Sequence, residues 1–171
     1  EYRLLLRQDN ADLRLRKKGY QAGLISEEDY QKILTKEEQI KTEISRVEHT
    51  NIGAKKEVQT LLESYNSTPL KSGTTLAELI RRPELSYEAI EPLDKERPEL
   101  PWDVQEQVDI NIKYDGYIRR QLKQVEQFKK LEAKKIPTDL DYEKFGSLRI
   151  EARQKLEAYR PISIGQASRI S

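Results

Sequence analysis

The sequence predicts an all-α protein, built as a non-repeating helical bundle with long amphipathic helices. Apolar residues recur at steps of three and four over most of the chain. The stretches that separate these runs hold Ser, Thr, Gly or Pro, which commonly begin or end helices. The single alternating stretch lacks the second strand that a hairpin needs. Hydrophobic residues make up 36% of the 171, which is enough for a modest core.

The first helices are delimited by caps and glycines. A short helix begins near Asn10 and ends between Gly19 and Gly23. A long helix over 27–49 begins after Ser26, which forms a capping box with Asp29. At ~1.5 Å per residue this helix is about 34 Å long. Its apolar stripe is narrow and suits packing against one other helix. The stripe consists of Tyr30, Ile33, Ile40, Ile44 and Val47.

Shorter elements follow the break at Gly53. A helix is predicted over 56–65, and Thr75 with Glu78 caps another that stops at Arg82–Pro83. Ser86 is predicted to begin one more short helix, through Tyr87 and Ile90. Residues 91–101 contain three prolines and predict a linker or an extended surface crossing.

The segment from Trp102 to Ile136 permits two interpretations. Residues 108–114 alternate like a strand, and Asp115-Gly116 is a hairpin signal. Residues 117–135 have no matching alternation and show helical spacing, so we predict helix on both sides of Gly116. An interior glycine costs ~1 kcal/mol relative to alanine. We therefore expect a neighbouring helix to approach closely there.

The last part of the chain predicts a loop over 139–147, an amphipathic helix that ends at Arg160–Pro161, and a final helix capped by Ser163. We predict three segments: a basic segment over 1–20, a helical domain over 21–146, and a truncated C-terminal subdomain over 147–171. The chain opens without Met, inside a dense run of Leu and Arg, and we expect it to be a fragment.

Composition excludes several kinds of site. The absence of cysteine removes disulfides, thiolate metal sites and cysteine nucleophiles. No apolar run approaches the roughly 20 residues that span a bilayer, and no two glycines form the G-x-G of a dinucleotide loop. His49, the one histidine, is expected at the surface, and the carboxylates sit at the spacing of solvated i,i+4 pairs. We therefore predict no catalytic residue and no metal site.

Charge and aromatic residues indicate two possible contact surfaces. Residues 1–20 hold six basic and three acidic residues, a net charge of +3, which fits either a phosphate contact or a solvated helix face. Tyr114 and Tyr117 lie among basic residues and could stack on bases, although core packing is the commoner role. Trp102 could anchor an interface, but local core packing is favoured. The basic neighbours of the tyrosines are Lys113, Arg119 and Arg120.

Three blocks together resemble one family: EYRLLLRQDNADLRL (1–15), VQEQVDINIKYDGYIRRQ (104–121) and RPISIGQASRIS (160–171). They are similar to the C-terminal part of the tRNA uridine 5-carboxymethylaminomethyl modification enzymes, also called glucose-inhibited division protein A. LIRRPELSYE (79–88) and KKIPTDLDY (134–142) agree with this resemblance.

The resemblance implies a function for the full-length protein. It would be a cytoplasmic, FAD-dependent enzyme that modifies the wobble uridine (U34) of tRNA, using NADH and methylene-tetrahydrofolate. A tRNA-modification GTPase of the MnmE/TrmE type would be its partner, and a homodimer its form. The flavin domain would precede the residues seen here, so the fragment alone is expected to be non-catalytic and to bind no cofactor.

The resemblance also implies roles for individual residues. Arg3, Arg7 and Arg14 match arginine positions of the first block and are expected to contact tRNA phosphates, together with Lys17 and Lys18. Pairing with Asp9, Asp12 or a neighbouring domain is the alternative for each arginine. In the last block, Gln166 and Arg169 are expected to contact the partner GTPase. The alternative function is a structural module that docks the GTPase or a dimer without contacting tRNA.

Overall fold

The computed structural model describes residues 2–170, whose regular secondary structure is almost entirely helical and confirms the predicted all-α class. Within these residues the only strands are β1 (Asn51–Ile52) and β2 (Thr74–Thr75), which pair antiparallel. The helices are α1 (Ala11–Gln21), α2 (Glu27–His49), α3 (Lys56–Ser64), α4 (Leu76–Ile80), α5 (Trp102–Ala133), α6 (Ile150–Tyr159) and α7 (Ile164–Ala167). Single 3-10 turns occupy Glu91–Leu93 and Tyr142–Lys144.

Contacts among the described residues divide the chain into two compact units. The first covers residues 2–118 and the second residues 119–170, so α5 contributes to both. The division into segments 1–20, 21–146 and 147–171 stays a prediction about functional regions.

Three predicted helix caps are confirmed by their hydrogen bonds. Ser26 Oγ accepts from the backbone N–H of Asp29 at 3.1 Å, and Thr75 Oγ1 accepts from that of Glu78 at 3.3 Å. Ser163 Oγ accepts from the N–H of Gln166 at 3.0 Å. Each bond satisfies one of the donors that a helix N-terminus leaves unpaired. The long helix over 27–49 and the continuous helix through Gly116 are confirmed as well.

The prediction of a short helix from Ser86 to Ile90 is wrong. These residues form turns, and the 3-10 turn at Glu91–Leu93 follows them. The backbone N–H of Tyr87 donates to Asp109 Oδ1 at 2.7 Å, so a side chain of α5 satisfies a donor at the start of this stretch. Pro92 lacks an N–H and prevents a regular helix from continuing.

The core of the first unit lies between α2, α3, α4 and the N-terminal half of α5. The side chains at its centre are fully buried. The backbone N–H of Leu76 donates to Thr50 O at 3.0 Å, which connects the start of α4 to the end of α2. The stripe of α2 contributes Ile33, Ile40 and Val47, as predicted. The central residues are Val47, Leu62, Leu79, Ile80, Ile90 and Val108.

A charged cluster penetrates this core, and we define it as Glu43, Arg46, Asp94 and Tyr87. The Arg46 guanidinium donates to Glu43 at 2.7 and 2.8 Å and to Asp94 at 2.5 and 3.0 Å. The Tyr87 hydroxyl donates to Glu43 Oε1 at 2.7 Å. Both carboxylate side chains are only 2% exposed. The hydrogen bonds that Arg46 donates to Glu43, and then those to Asp94, raise the pKa of Arg46. Burial, followed by the bond that its hydroxyl donates to Glu43, raises the pKa of Tyr87.

The prediction that a neighbouring helix approaches closely at Gly116 is also wrong. A methyl group placed there would meet no atom of the described residues within 4 Å. The close approach occurs at Gly165 of the second unit, where an added Cβ would lie 2.9 Å from the backbone nitrogen of Glu132. Gly165 therefore allows α7 to pack against the C-terminal end of α5.

The second unit is held by backbone and side-chain bonds between the end of α5 and the start of α7. Ile136 N–H donates to Ile162 O at 3.1 Å, and Ile164 N–H donates to Lys134 O at 2.9 Å. The Ser163 hydroxyl donates to Glu132 Oε2 at 3.0 Å. These bonds replace a larger apolar core, because only Tyr142 among the large apolar side chains of this unit is buried in the described residues.

Substitution Arg46→Ala should lower the free energy of unfolding by ~3–5 kcal/mol, because it leaves two buried carboxylates without their cation. Urea denaturation followed by circular dichroism measures this. Arg81→Ala is the matched control, since Arg81 also pairs with two carboxylates but at the surface. Its effect should stay below ~1 kcal/mol. Equal effects of the two substitutions would contradict the assigned role of the charged cluster.

Substitution Gly116→Ala should raise the free energy of unfolding by about 0.5–1 kcal/mol, since alanine favours helix and the site has room for a methyl group. The same denaturation measurement tests it. Gly165→Ala serves as the opposite case and should destabilise the chain. A destabilising effect at Gly116 would show that the helix is packed there.

Candidate nucleic-acid interface

One face of α1 is fixed against α2. Lys36 Nζ lies 2.8 Å from a carboxylate oxygen of Asp12 and 2.8 Å from one of Asp103, which joins α1, α2 and α5 at a single ammonium group. The rings of Tyr20 and Tyr30 are stacked, with centroids 4.4 Å apart. Because these contacts occupy one side of α1, the other side is free to face solvent.

Arg14, Lys17 and Lys18 lie on that other side of α1. At about 100° per residue, positions 14, 17 and 18 fall opposite positions 12, 16 and 19. Lys17 and Lys18 are exposed, and neither forms an ion pair within residues 2–170. We call Arg14, Lys17 and Lys18 the basic face of α1.

The guanidinium of Arg7 is engaged inside the N-terminal segment. It donates to Leu4 O at 2.6 Å and to both oxygens of Asp9 at 3.0 Å. Its side chain is 19% exposed. Arg7 therefore fixes the turn that precedes α1, which is the pairing with Asp9 that the sequence left open as an alternative.

Arg14 stabilises the same turn from the first turns of α1. Its Nε donates to Asn10 Oδ1 at 2.7 Å and its Nη2 donates to Arg7 O at 3.1 Å. Asn10 in turn donates to Leu5 O at 3.2 Å. Arg3 is exposed at the beginning of the described chain. The five predicted tRNA contacts thus divide into two partly buried arginines and three exposed cations.

Gln107 of α5 anchors this segment to the core and was missed in the sequence. It is 1% exposed, and its Nε2 donates to Asp9 Oδ2 at 2.8 Å and to Asp9 O at 3.2 Å. A glutamine between Val104 and Val108, on the apolar face of α5, was the available signal. A buried amide at such a position requires a polar partner.

The pKa values of Asp9 and Asp12 are both lowered by the contacts that these carboxylates accept. Burial raises the pKa of Asp9, but the hydrogen bonds from Arg7 and Gln107 lower it by more than burial raises it. The pKa of Asp9 is therefore lowered from its usual value of 3.8. Burial likewise raises the pKa of Asp12, and the bond from Lys36 with that from the Leu13 N–H brings it below 3.8. Both lowered pKa values show that the folded chain favours the charged form of these carboxylates, which hold the basic segment in place.

The aromatic residues of α5 are not core residues. Trp102 is 73% exposed, Tyr114 46% and Tyr117 57%. The core packing favoured for them from the sequence is therefore wrong. The buried face of α5 instead follows Val104, Val108 and Ile112, and the tyrosines fall outside it.

The residues predicted to contact the GTPase brace α7. Gln166 Oε1 accepts from the Ile162 N–H at 2.7 Å, and Arg169 forms an ion pair with Glu132. Both residues are exposed, so contact with a partner stays a prediction. His49 lies exposed at the end of α2, as predicted. Within residues 2–170 no group of three His, Asp or Glu side chains could hold a metal ion.

None of the helices described for residues 2–170 combines the length and the apolar character of a membrane-spanning segment.

Two domain families match the chain. The tRNA modifying enzyme MnmG/GidA C-terminal helical domain matches residues 27–122, and the MnmG/GidA C-terminal helical bundle matches residues 124–171. The chain belongs to the MnmG/GidA family. The resemblance seen in the three sequence blocks is thereby confirmed.

Individual relatives of the MnmG/GidA family match over the full chain. The tRNA uridine 5-carboxymethylaminomethyl modification enzyme MnmG of Lachnoclostridium phytofermentans is 63% identical, and that of Caldicellulosiruptor saccharolyticus is 56% identical. The chain spans 27% of the length of each of these proteins. The crystal structure of Aquifex aeolicus GidA (form II) matches 96% of this chain and 25% of that one, with 35% identity and a TM-score of 0.64.

Asp9→Asn should weaken the pH dependence of stability in acid. Because the folded pKa of Asp9 is lowered from 3.8, its contribution is present above that value and is lost as the pH falls through the folded pKa. The variant should be less stable than the parent at neutral pH and should converge with it at low pH. Thermal unfolding between neutral and strongly acid pH measures the difference. Parallel curves for parent and variant would contradict this account.

Proposed function

We propose that this chain is the tRNA-contacting helical part of a tRNA uridine 5-carboxymethylaminomethyl modification enzyme. The names of its MnmG relatives support the substrate, and the basic face of α1 supports the contact. The observation that carries the proposal is the pair of exposed lysines, Lys17 and Lys18, which form no ion pair within residues 2–170. They lie on a helix whose opposite face is fixed to the core.

In this proposal Lys17, Lys18 and Arg3 contact phosphates. Such contacts supply salt-dependent affinity and orient the nucleic acid without reading its sequence. Arg7 and Arg14 contribute positive charge while their hydrogen bonds hold the turn that carries Arg3. The proposed site is therefore a shaped cationic surface.

The chemistry of the full-length protein is assigned to other residues. FAD, NADH and methylene-tetrahydrofolate are the proposed cofactors, and the cytoplasm is the proposed location. The residues present here do not fit FAD. Within residues 2–170 the two strands are two residues each, and the sequence has no G-x-G that could form a phosphate-binding loop before a helix. The chain spans 27% of the length of its MnmG relatives, and we assign the flavin to the part of those proteins that the chain does not match.

A second candidate function is docking of the partner GTPase, or of a homodimer, through the second unit. Ile150, Ile162 and Ile164 are 67%, 58% and 42% exposed, and in this second function they supply the apolar part of the protein contact. Gln166 and Arg169 lie in the same unit. This function is compatible with tRNA binding by the first unit.

Titration of the chain with tRNA at several salt concentrations tests the proposal. Lys17→Ala/Lys18→Ala should weaken binding and reduce the slope of log K against log salt by about 1.5, the amount expected for two lost phosphate contacts. Lys55→Ala/Lys56→Ala is the matched control, because these adjacent lysines are also exposed but lie before and in α3. Fluorescence anisotropy of labelled tRNA provides the affinity.

The comparison between the two double variants decides the outcome. Loss confined to the Lys17/Lys18 variant supports the proposal. Equal losses would indicate a contact through net charge alone and contradict an oriented site. Absence of tRNA binding, together with retained capture of the GTPase, would favour the second function.

A further inference from the structure

Trp102 lies at the start of α5, on the side of the helix that faces away from the core. It is 73% exposed, whereas Val104 and Val108 are buried. At about 100° per residue, these two valines fall on the opposite side of the helix from Trp102. Within residues 2–170 no aromatic ring stacks on Trp102 and no cation lies over it. The indole is therefore available to a ligand, and tryptophan is among the residue types that contribute most to protein interfaces.

Trp102 forms one wall of an open cleft of about 440 Å³ between α5 and residues 86–91. The two sides of the cleft are joined by the hydrogen bond from the backbone N–H of Tyr87 to Asp109 Oδ1 at 2.7 Å. The guanidinium of Arg97 donates to Tyr87 O at 2.6 Å and lies over the Tyr87 ring, so it is engaged in holding this stretch. The cleft thus has its shape before any ligand arrives.

The lining of this cleft is acidic. Glu88, Glu91 and Glu106 line it, and none of them forms an ion pair within residues 2–170. Asp109 lines it as well, but Lys113 balances its charge at 3.2 Å. No lysine or arginine is among the lining residues. The indole of the cleft is therefore accompanied by three carboxylates without a cation, which complement a positively charged ligand.

The chemistry of the cleft favours a guanidinium group. Its planar face can stack on an indole while its N–H groups donate to carboxylates, a combination that an ammonium group does not match. The same carboxylates repel phosphates, and within residues 2–170 no three acidic or histidine side chains are grouped to hold a metal ion. We propose that the cleft between Trp102 and residues 86–91 binds an arginine-bearing segment of a protein partner. This inference is independent of the proposed tRNA contact, because it uses other residues and the opposite charge.

Fluorescence of the 171-residue chain tests the cleft directly, because Trp102 is its one tryptophan. The probe is a synthetic peptide with three arginines and no aromatic residue. Matched peptides carry lysine or glutamine in place of each arginine. The arginine peptide should change the emission of Trp102 and bind more tightly than the lysine peptide, and the glutamine peptide should have no effect.

Variants of the cleft separate stacking from net charge, with affinity measured by anisotropy of labelled peptide. Trp102→Ala should weaken binding of the arginine peptide by about fivefold, as expected for the loss of an exposed cation–π contact. Glu88→Gln/Glu91→Gln should weaken it by about fivefold through two lost ion pairs. Glu57→Gln/Glu63→Gln is the matched control, because these exposed glutamates of α3 lie outside the cleft, and it should leave the affinity unchanged.

Four outcomes would overturn this proposal. Equal affinity of parent and Trp102→Ala for the arginine peptide would show that the indole takes no part. Equal losses in the two glutamine double variants would indicate attraction by net charge alone. Binding of spermine as tight as that of the arginine peptide would assign the cleft to small polycations. Sedimentation showing a dimer that Trp102→Ala dissociates would assign it to a second copy of the chain. None of these results bears on the tRNA titration with the variants of Lys17 and Lys18.

Discussion

The ion pairs of Arg46 with Glu43 and Asp94 are the interaction on which the first unit depends. Two carboxylates that are only 2% exposed would cost several kcal/mol each to bury without a cation. Arg46 compensates both with four hydrogen bonds, and the Tyr87 hydroxyl satisfies a further acceptor site. The charged cluster thereby joins α2 to a segment that has little regular structure of its own.

That segment, residues 81–101, is held in place by side-chain contacts and not by the backbone hydrogen bonds of a long helix or a sheet. The guanidinium of Arg97 lies 3.9 Å from the centre of the Tyr87 ring and donates to Tyr87 O at 2.6 Å. Its Nη2 donates to Gln105 Oε1 at 2.7 Å, which connects the segment to α5. A polar network of this kind requires each partner in its place, so it fixes one arrangement of the chain where apolar packing alone would permit several.

The sequence predicted the features that depend on neighbouring residues. Ser26, Thr75 and Ser163 cap helices through the N–H three residues away, and the stripe of α2 follows from its own spacing. The errors occurred where a distant residue intervenes. The Asp109 side chain accepts a hydrogen bond from the backbone N–H of Tyr87, although the two residues are more than twenty positions apart in the sequence. Likewise, no local pattern shows that the tyrosines of α5 lie outside the core or that Gly165, and not Gly116, meets a helix.

The candidate interface shows the same limit in its charges. The sequence identified a basic segment, but it could not distinguish cations that bind the chain from cations that face solvent. Arg7 and Arg14 turn inward because Asp9, Asn10 and main-chain carbonyls lie within reach in the turn before α1. This leaves Lys17 and Lys18 as the exposed members of the basic face of α1.

Rigid attachment gives this arrangement its physical advantage. Lys36 joins α1 to α2 and α5, and Gln107 joins Asp9 to the buried face of α5, so the basic face of α1 is held in one orientation relative to the core. A phosphate backbone that meets a pre-ordered surface loses less binding free energy to the ordering of the protein. Lys36, Gln107 and Asp9 contact no tRNA phosphate in the proposal, but they determine how well Lys17 and Lys18 can bind one.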